Sequence, residues 1–156
     1  MDCELLLVSD LDSRTLKNTV YSIVRDIVEG KVTSYDDLSR LCCEYFTIDI
    51  ETEEIISLDF IREEYGMQIN SEIRIQLFGK AFHNGLEQLF RIFGGIINSF
   101  NPDMVFLENG TDQLFRKEKN MVIVNTKLDD NQQKYLSPKI IGYLNCSYIY
   151  RDLSHH

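Results

Sequence analysis

Residues with catalytic capacity are few in this chain. His83 is the only histidine before the terminal His155-His156 pair, cysteines stand at Cys3, Cys42, Cys43 and Cys146, and 25 acidic residues supply carboxylates in excess. An enzyme of this size needs a nucleophile beside a base, a metal set or a phosphate cradle. One histidine cannot build a His-rich metal site, and a Cys–His pair would require the fold to carry a cysteine to His83. Placed near the start of a helical pattern, His83 is expected to be a surface or capping residue. The cysteines show no C-x-x-C spacing, and the adjacent Cys42 and Cys43 are poorly placed to pair with each other. Four reduced, mostly buried thiols are expected. Gly79, Gly85, Gly94 and Gly95 form neither G-x-G-x-x-G nor a P-loop. Gly94-Gly95 lies inside a helical pattern and predicts a close-packing site. No catalytic residue, cofactor site or metal site is expected. A carboxylate pair serving a small hydrolase stays open as an alternative, with no pair singled out.

The acidic clusters carry the stronger signal. They comprise Asp49, Glu51, Glu53 and Glu54, then Glu108 and Asp112, then Asp129 and Asp130. With 16 basic residues against 25 acidic ones, the net charge is −9. Such a surface repels phosphate backbones and anionic lipid, so neither nucleic acid nor membrane is an expected partner. A basic protein is, because charge complementarity sets association rate and specificity. Tyr35, Tyr135 and Tyr148 are candidate aromatic anchors for it.

The elements that must position these groups follow from periodicity. Ile69, Ser71, Ile73, Ile75 and Leu77 alternate with Asn70, Glu72, Arg74 and Gln76, the period of a half-buried strand. Phe82 to Phe100 has an apolar stripe at helical period, and Asn101-Pro102 stops it. Strands are expected at Met104–Leu107, Asp112–Phe115 and Met121–Asn125, with a polar turn at Arg116–Asn120. Upstream, Glu4–Ser9 is a buried strand. Asp12 caps a helix from Ser13 to about Glu29, which should pack beside the later one, with Gly30 as its stop. Cys43–Ile50 alternates as a strand with its apolar face on the even positions. Residues 33–38 suggest a capped turn or one helical turn, and Ile55–Tyr65 a strand or a short helix. Thr126–Ser137 is expected to be a polar loop, Pro138–Gly142 a helical turn, and Ser147–Tyr150 a last strand or an extended tail. The expected fold is α+β: a single mostly antiparallel sheet with two main helices packed on it.

A length of 156 residues and 44% hydrophobic content fit one domain with a proper core, taken as residues 1–154. His155-His156 resembles the start of an affinity tag. The N-terminus has no basic n-region and no apolar run long enough to span a bilayer, so the expected compartment is the cytoplasm.

Three stretches resemble the Sit-type immunity proteins of bacterial contact-dependent growth inhibition and related polymorphic-toxin systems. "CELLLVSDLDSRTL" looks like that family's first strand and Asp/Ser-capped helix. "GMQINSEIRIQLFGK" is similar to its central strand, and "LFRIFGGIINSFNPDMVFLENGTDQLFRKEKNMVIVN" to its long helix, acidic strand and hairpin. The resemblance implies a cytoplasmic, non-enzymatic inhibitor that binds the C-terminal domain of a cognate toxin. A basic nuclease-type toxin would suit the charge, with the inhibitor blocking its active site. It transfers no catalytic residues. An oligomeric scaffold or adaptor is the alternative outside this family, ahead of the hydrolase.

Overall fold

The computed structural model describes residues 1–154. The α+β expectation holds: a nine-stranded sheet runs through the described residues, antiparallel except at one edge. The elements in chain order are β1 (Asp2–Val8), α1 (Ser13–Ile27), β2 (Thr33–Tyr35), β3 (Arg40–Cys42), β4 (Phe46–Glu51), α2 (Leu58–Tyr65) and β5 (Ser71–Leu77). Then follow α3 (Phe82–Phe100), β6 (Asp103–Glu108), β7 (Asp112–Glu118), β8 (Met121–Asn125), α4 (Asp130–Tyr135), α5 (Pro138–Gly142) and β9 (Ser147–Arg151). The sheet order is β2-β3-β4-β5-β1-β6-β7-β8-β9, and β9 runs parallel to β8. No helix among the described residues is long and apolar enough to cross a membrane.

Burial explains why some strands alternate and others do not. From Leu5 to Val8, β1 is continuously apolar because both its faces are covered there. Leu5 and Leu7 enter the main core, while Leu6 joins Met67, Ile69, Val105 and Leu107 in a second cluster on the opposite face. β6 behaves likewise, with Met104 and Phe106 on one side and Val105 and Leu107 on the other. β4, and β5 from Ile73 onward, alternate because one face is open there, whereas Glu72 at the start of β5 is buried on the other face. Ile69 therefore leaves the β5 face assigned to it by period: it lies before the strand begins and belongs to the second cluster.

The main core is capped by the two long helices. Asp12 caps α1 as expected, its carboxylate accepting from Thr15 N at 2.8 Å. α1 and α3 meet at the small residues of α3. A Cβ added at Gly95 would lie 2.7 Å from Ile23 Cγ2, and one at Gly94 would collide with the Tyr143 carbonyl behind α5. The paired glycines are thus a packing site. Phe90, Phe93, Phe106 and Phe115 stack where α3 crosses the sheet, with Phe93 and Phe106 centroids 5.0 Å apart.

Several local expectations are revised. Residues 33–42 form the β2–β3 hairpin, because Asp36, Asp37 and Leu38 all take left-handed backbone in its turn. Of the two readings open for Ile55–Tyr65, the short helix holds: α2 is closed by Gly66 at φ +63°, and it packs on the face opposite α1 and α3. β7 continues to Glu118, so Arg116 and Lys117 are strand residues rather than turn residues. Both are buried with an acceptor in reach: Lys117 Nζ donates to Pro102 O at 2.9 Å, and Arg116 Nη2 donates to Tyr65 O at 2.8 Å and to the Glu118 carboxylate, while Arg116 Nε and Nη1 are buried without a partner. The expected loop after Thr126 contains α4, started by a capping box between Asp129 and Gln132. Of the four free thiols, only Cys3 is buried; the other three are half-buried.

Candidate partner-binding surface

The strand register brings distant carboxylates to one end of the sheet. Glu108 ends β6 opposite both Cys3 of β1 and Asp112 of β7. Asp129 and Asp130 arrive there on the start of α4, and Gln132, the hub, is buried behind them. Its Nε2 donates to Glu108 Oε1 at 2.8 Å and to Asp112 Oδ2 at 3.1 Å. Its Oε1 accepts from Asp129 N at 3.1 Å, and its own N donates back to Asp129 Oδ1 at 2.8 Å. Tyr135 donates its hydroxyl to Glu108 as well. Burial, and then the hydrogen bond to that carboxylate, push the Tyr135 phenol well above its usual range.

Two consequences follow for the acidic residues at this end. Glu108 is half-buried and bound by two internal donors, so its role is to hold α4 against β6. Asp112, Asp129 and Asp130 remain exposed. They are joined by Glu64 at the end of α2. Glu64, Asp112 and Asp129 line a cavity of about 440 Å³ with Gln113, Asn125 and Lys127. Three carboxylates against one ammonium make it an acidic, polar recess. Gln113 Oε1, on its lining residue, is buried without a hydrogen-bond partner.

Asp49, Glu51, Glu53 and Glu54 do not join this group. β4 runs away from that end of the sheet, and its carboxylates meet cations or backbone. Asp49 bonds Arg40 at 2.7 Å and stands opposite Arg74, while Glu51 accepts from Thr52 N at 3.1 Å. Glu53 and Glu54 are exposed on the connection leading to α2. The eight predicted residues therefore form two groups, one around Glu108 and one from β4 into the connection after it, with β1 and β5 between them, and Asp49 and Glu108 are tied up inside the chain.

α2 lies between the two groups. It is held on the sheet by Leu58, Ile61 and Tyr65, none fully buried, and by Arg62 Nε donating to Ile69 O at 2.8 Å. Its outer side carries Phe60, 67% exposed, and the connection before it carries Ile56, 79% exposed. Sequence reasoning passed over both. Their signal was an apolar residue on the charged side of an amphipathic pattern, which period alone assigns to the core. Of the expected anchors, Tyr35 and Tyr148 are exposed, whereas Tyr135 is spent on Glu108. His83 is exposed on the first turn of α3, edge-on to Phe82 at 5.7 Å. No group of three or more His, Cys, Asp or Glu side chains among the described residues is arranged to hold a metal ion.

Compared with protein-family models, curated proteins and solved structures, the chain finds no match in any of the three.

Proposed function

We propose that this chain is an immunity protein: a non-enzymatic, stoichiometric inhibitor that binds a basic, nuclease-type toxin domain in the cytoplasm and blocks its active site. The observation that carries the reading is the acidic recess at one end of the sheet. Glu64, Asp112 and Asp129 come from three separate elements, with Asp130 beside them, and Gln132 holds two of the three in place. An array of carboxylates resembles a run of phosphates in charge. A nuclease cleft lined by lysine and arginine would accept it in place of substrate.

The test is co-expression of this chain with the product of the adjacent upstream reading frame. The expected outcome is a one-to-one complex, with a C-terminal fragment of that product toxic when expressed alone. Reversing Asp112 and Asp130 together to lysine should slow association about tenfold at low salt, with the difference shrinking at high salt. A harmless upstream product that does not bind would overturn the reading.

One observation favours a scaffold instead. β9 is an edge strand exposed along its whole length, with Tyr148, Ile149 and Tyr150 uncovered. Oligomers of the isolated chain in sizing chromatography would support that alternative.

A further inference from the structure

We infer that the outward side of α2, with the connection that leads into it, is a docking surface for a basic protein, and that Phe60 is its apolar anchor. The inference rests on the immunity reading for the partner's identity and names the surface that would hold it.

Phe60 and Ile56 are the two most exposed large apolar side chains among the described residues. Both sit in the most acidic stretch of the chain. Residues 53–64 hold Glu53, Glu54, Asp59, Glu63 and Glu64 against a single base, Arg62. That base turns inward: its Nε is bonded to Ile69 O. The five carboxylates are exposed, so they frame the two apolar side chains without a neutralising cation in the segment. An aromatic ring ringed by charge is the anatomy of an interface hot spot, in which the ring supplies affinity once surrounding contacts exclude water. Spacing links this surface to the acidic recess. Phe60 and Glu64 stand four residues apart, on one face of the helix, and Glu64 is the residue of α2 that lines the recess with Asp112 and Asp129.

Charge decides what can cover the surface. A second copy of this chain, meeting it face to face, would set five carboxylates against five. An anionic lipid headgroup meets the same repulsion. The fitting occupant is a protein surface with lysine or arginine around an apolar socket large enough for a phenyl ring.

The experiment uses the full chain and the upstream-encoded fragment from the co-expression above, with Kd measured for wild type, Phe60→Ala, Ile56→Ala and the double variant Glu53→Lys/Glu54→Lys. Because these side chains are exposed, circular dichroism and thermal melting should match wild type, which keeps the binding readout interpretable. Phe60→Ala is expected to weaken binding at least about tenfold, chiefly through faster dissociation. Glu53→Lys/Glu54→Lys should slow association. Amides of residues 53–64 should gain hydrogen-exchange protection in the complex. If wild type binds the fragment and Phe60→Ala binds equally well, the docking surface is wrong while the immunity reading stands. If wild type itself captures no fragment, the immunity reading fails and this surface loses its occupant with it. A self-associated species abolished by Phe60→Ala would also overturn the assignment.

Discussion

The two faces of the sheet are built on different terms. On one, α1 and α3 cap the main core, and Phe90, Phe93, Phe106 and Phe115 interlock, each at most 1% exposed. On the other, a single eight-residue helix covers only the middle strands, no residue of it is fully buried, and both Ser57 before it and Gly66 after it take left-handed backbone. Charge follows cover. The filled face admits one cation, Lys117, and gives it a carbonyl acceptor, while the sparsely covered face collects Glu72, Arg74, Asp49 and the acidic rim of α2. The lesson is a division of labour: one face holds the sheet together, so the other is free to carry charge and unburied apolar groups that stability alone would not retain.

The sharpest way to break this contrast is to truncate the filled face. Phe106→Ala removes the ring that touches Phe90, Phe93 and Phe115 together, in a place where α3 cannot collapse inward past its neighbours. The expected loss is about 3–5 kcal/mol by denaturant unfolding. Phe60→Ala on the other face should leave stability unchanged within about 0.5 kcal/mol. Equal losses at the two sites would mean that α2 is as much part of the fold as α3.

A smaller effect is expected where the filled face is tightest. Gly94→Ala would place a methyl against the Tyr143 carbonyl, which is backbone and cannot rotate away. Overpacking there should cost about 1–3 kcal/mol, read as a lower thermal midpoint. At Gly142, where a Cβ would meet nothing within 4 Å, the same substitution should be far milder. A Gly94→Ala variant as stable as wild type would show that α5 can shift away from α3 at little cost.

What the sequence made legible follows local environment more than face. The filled face was readable because a strong period needs a single environment: α1, β5 and α3 lie within two residues of their expected spans, and the Asp12 cap and the Gly94-Gly95 packing site are where pattern put them. Positions whose environment is set by remote partners were not, on either face. Arg116 and Lys117 look like turn residues next to Glu118 and Lys119, and their burial is tolerable because the Tyr65 and Pro102 carbonyls, 51 and 15 residues away, accept from them and Glu118 pairs with Arg116. The residues around Asp129 looked like a polar loop because four of the six in α4 are charged or amide side chains before Lys134 and Tyr135 are counted. Of the site, the acidic residues were visible as charge, but charge does not show commitment. Glu108 gives its carboxylate to Gln132 and Tyr135, Asp49 gives its own to Arg40, and Phe60 enters only once α2 is seen to present it outward.

The smallest expected effect tests whether charge on the sparsely covered face is itself a burden. Glu72 lies on β5 opposite Leu6 of β1 and Glu51 of β4. Burial raises its carboxyl above the ordinary 4.5, the charges of Glu4 and Glu51 add to this, and Arg74, 3.3 Å away, opposes it. A raised carboxyl favours the folded state fully only below pH 4.5. That contribution is lost as pH climbs through the folded value, because the unfolded chain can ionise more easily than the folded one. Glu72→Gln removes the ionisation and keeps the shape. Its thermal midpoint should therefore exceed wild type at pH 7, and the gap should close as pH falls toward 4.5. A gap that stays constant with pH would mean that the Arg74 pairing balances burial, and one that reverses sign at pH 7 that it outweighs burial. The charged half of this face would then be contributing to the fold after all, and the contrast with the filled face would narrow to α2 alone.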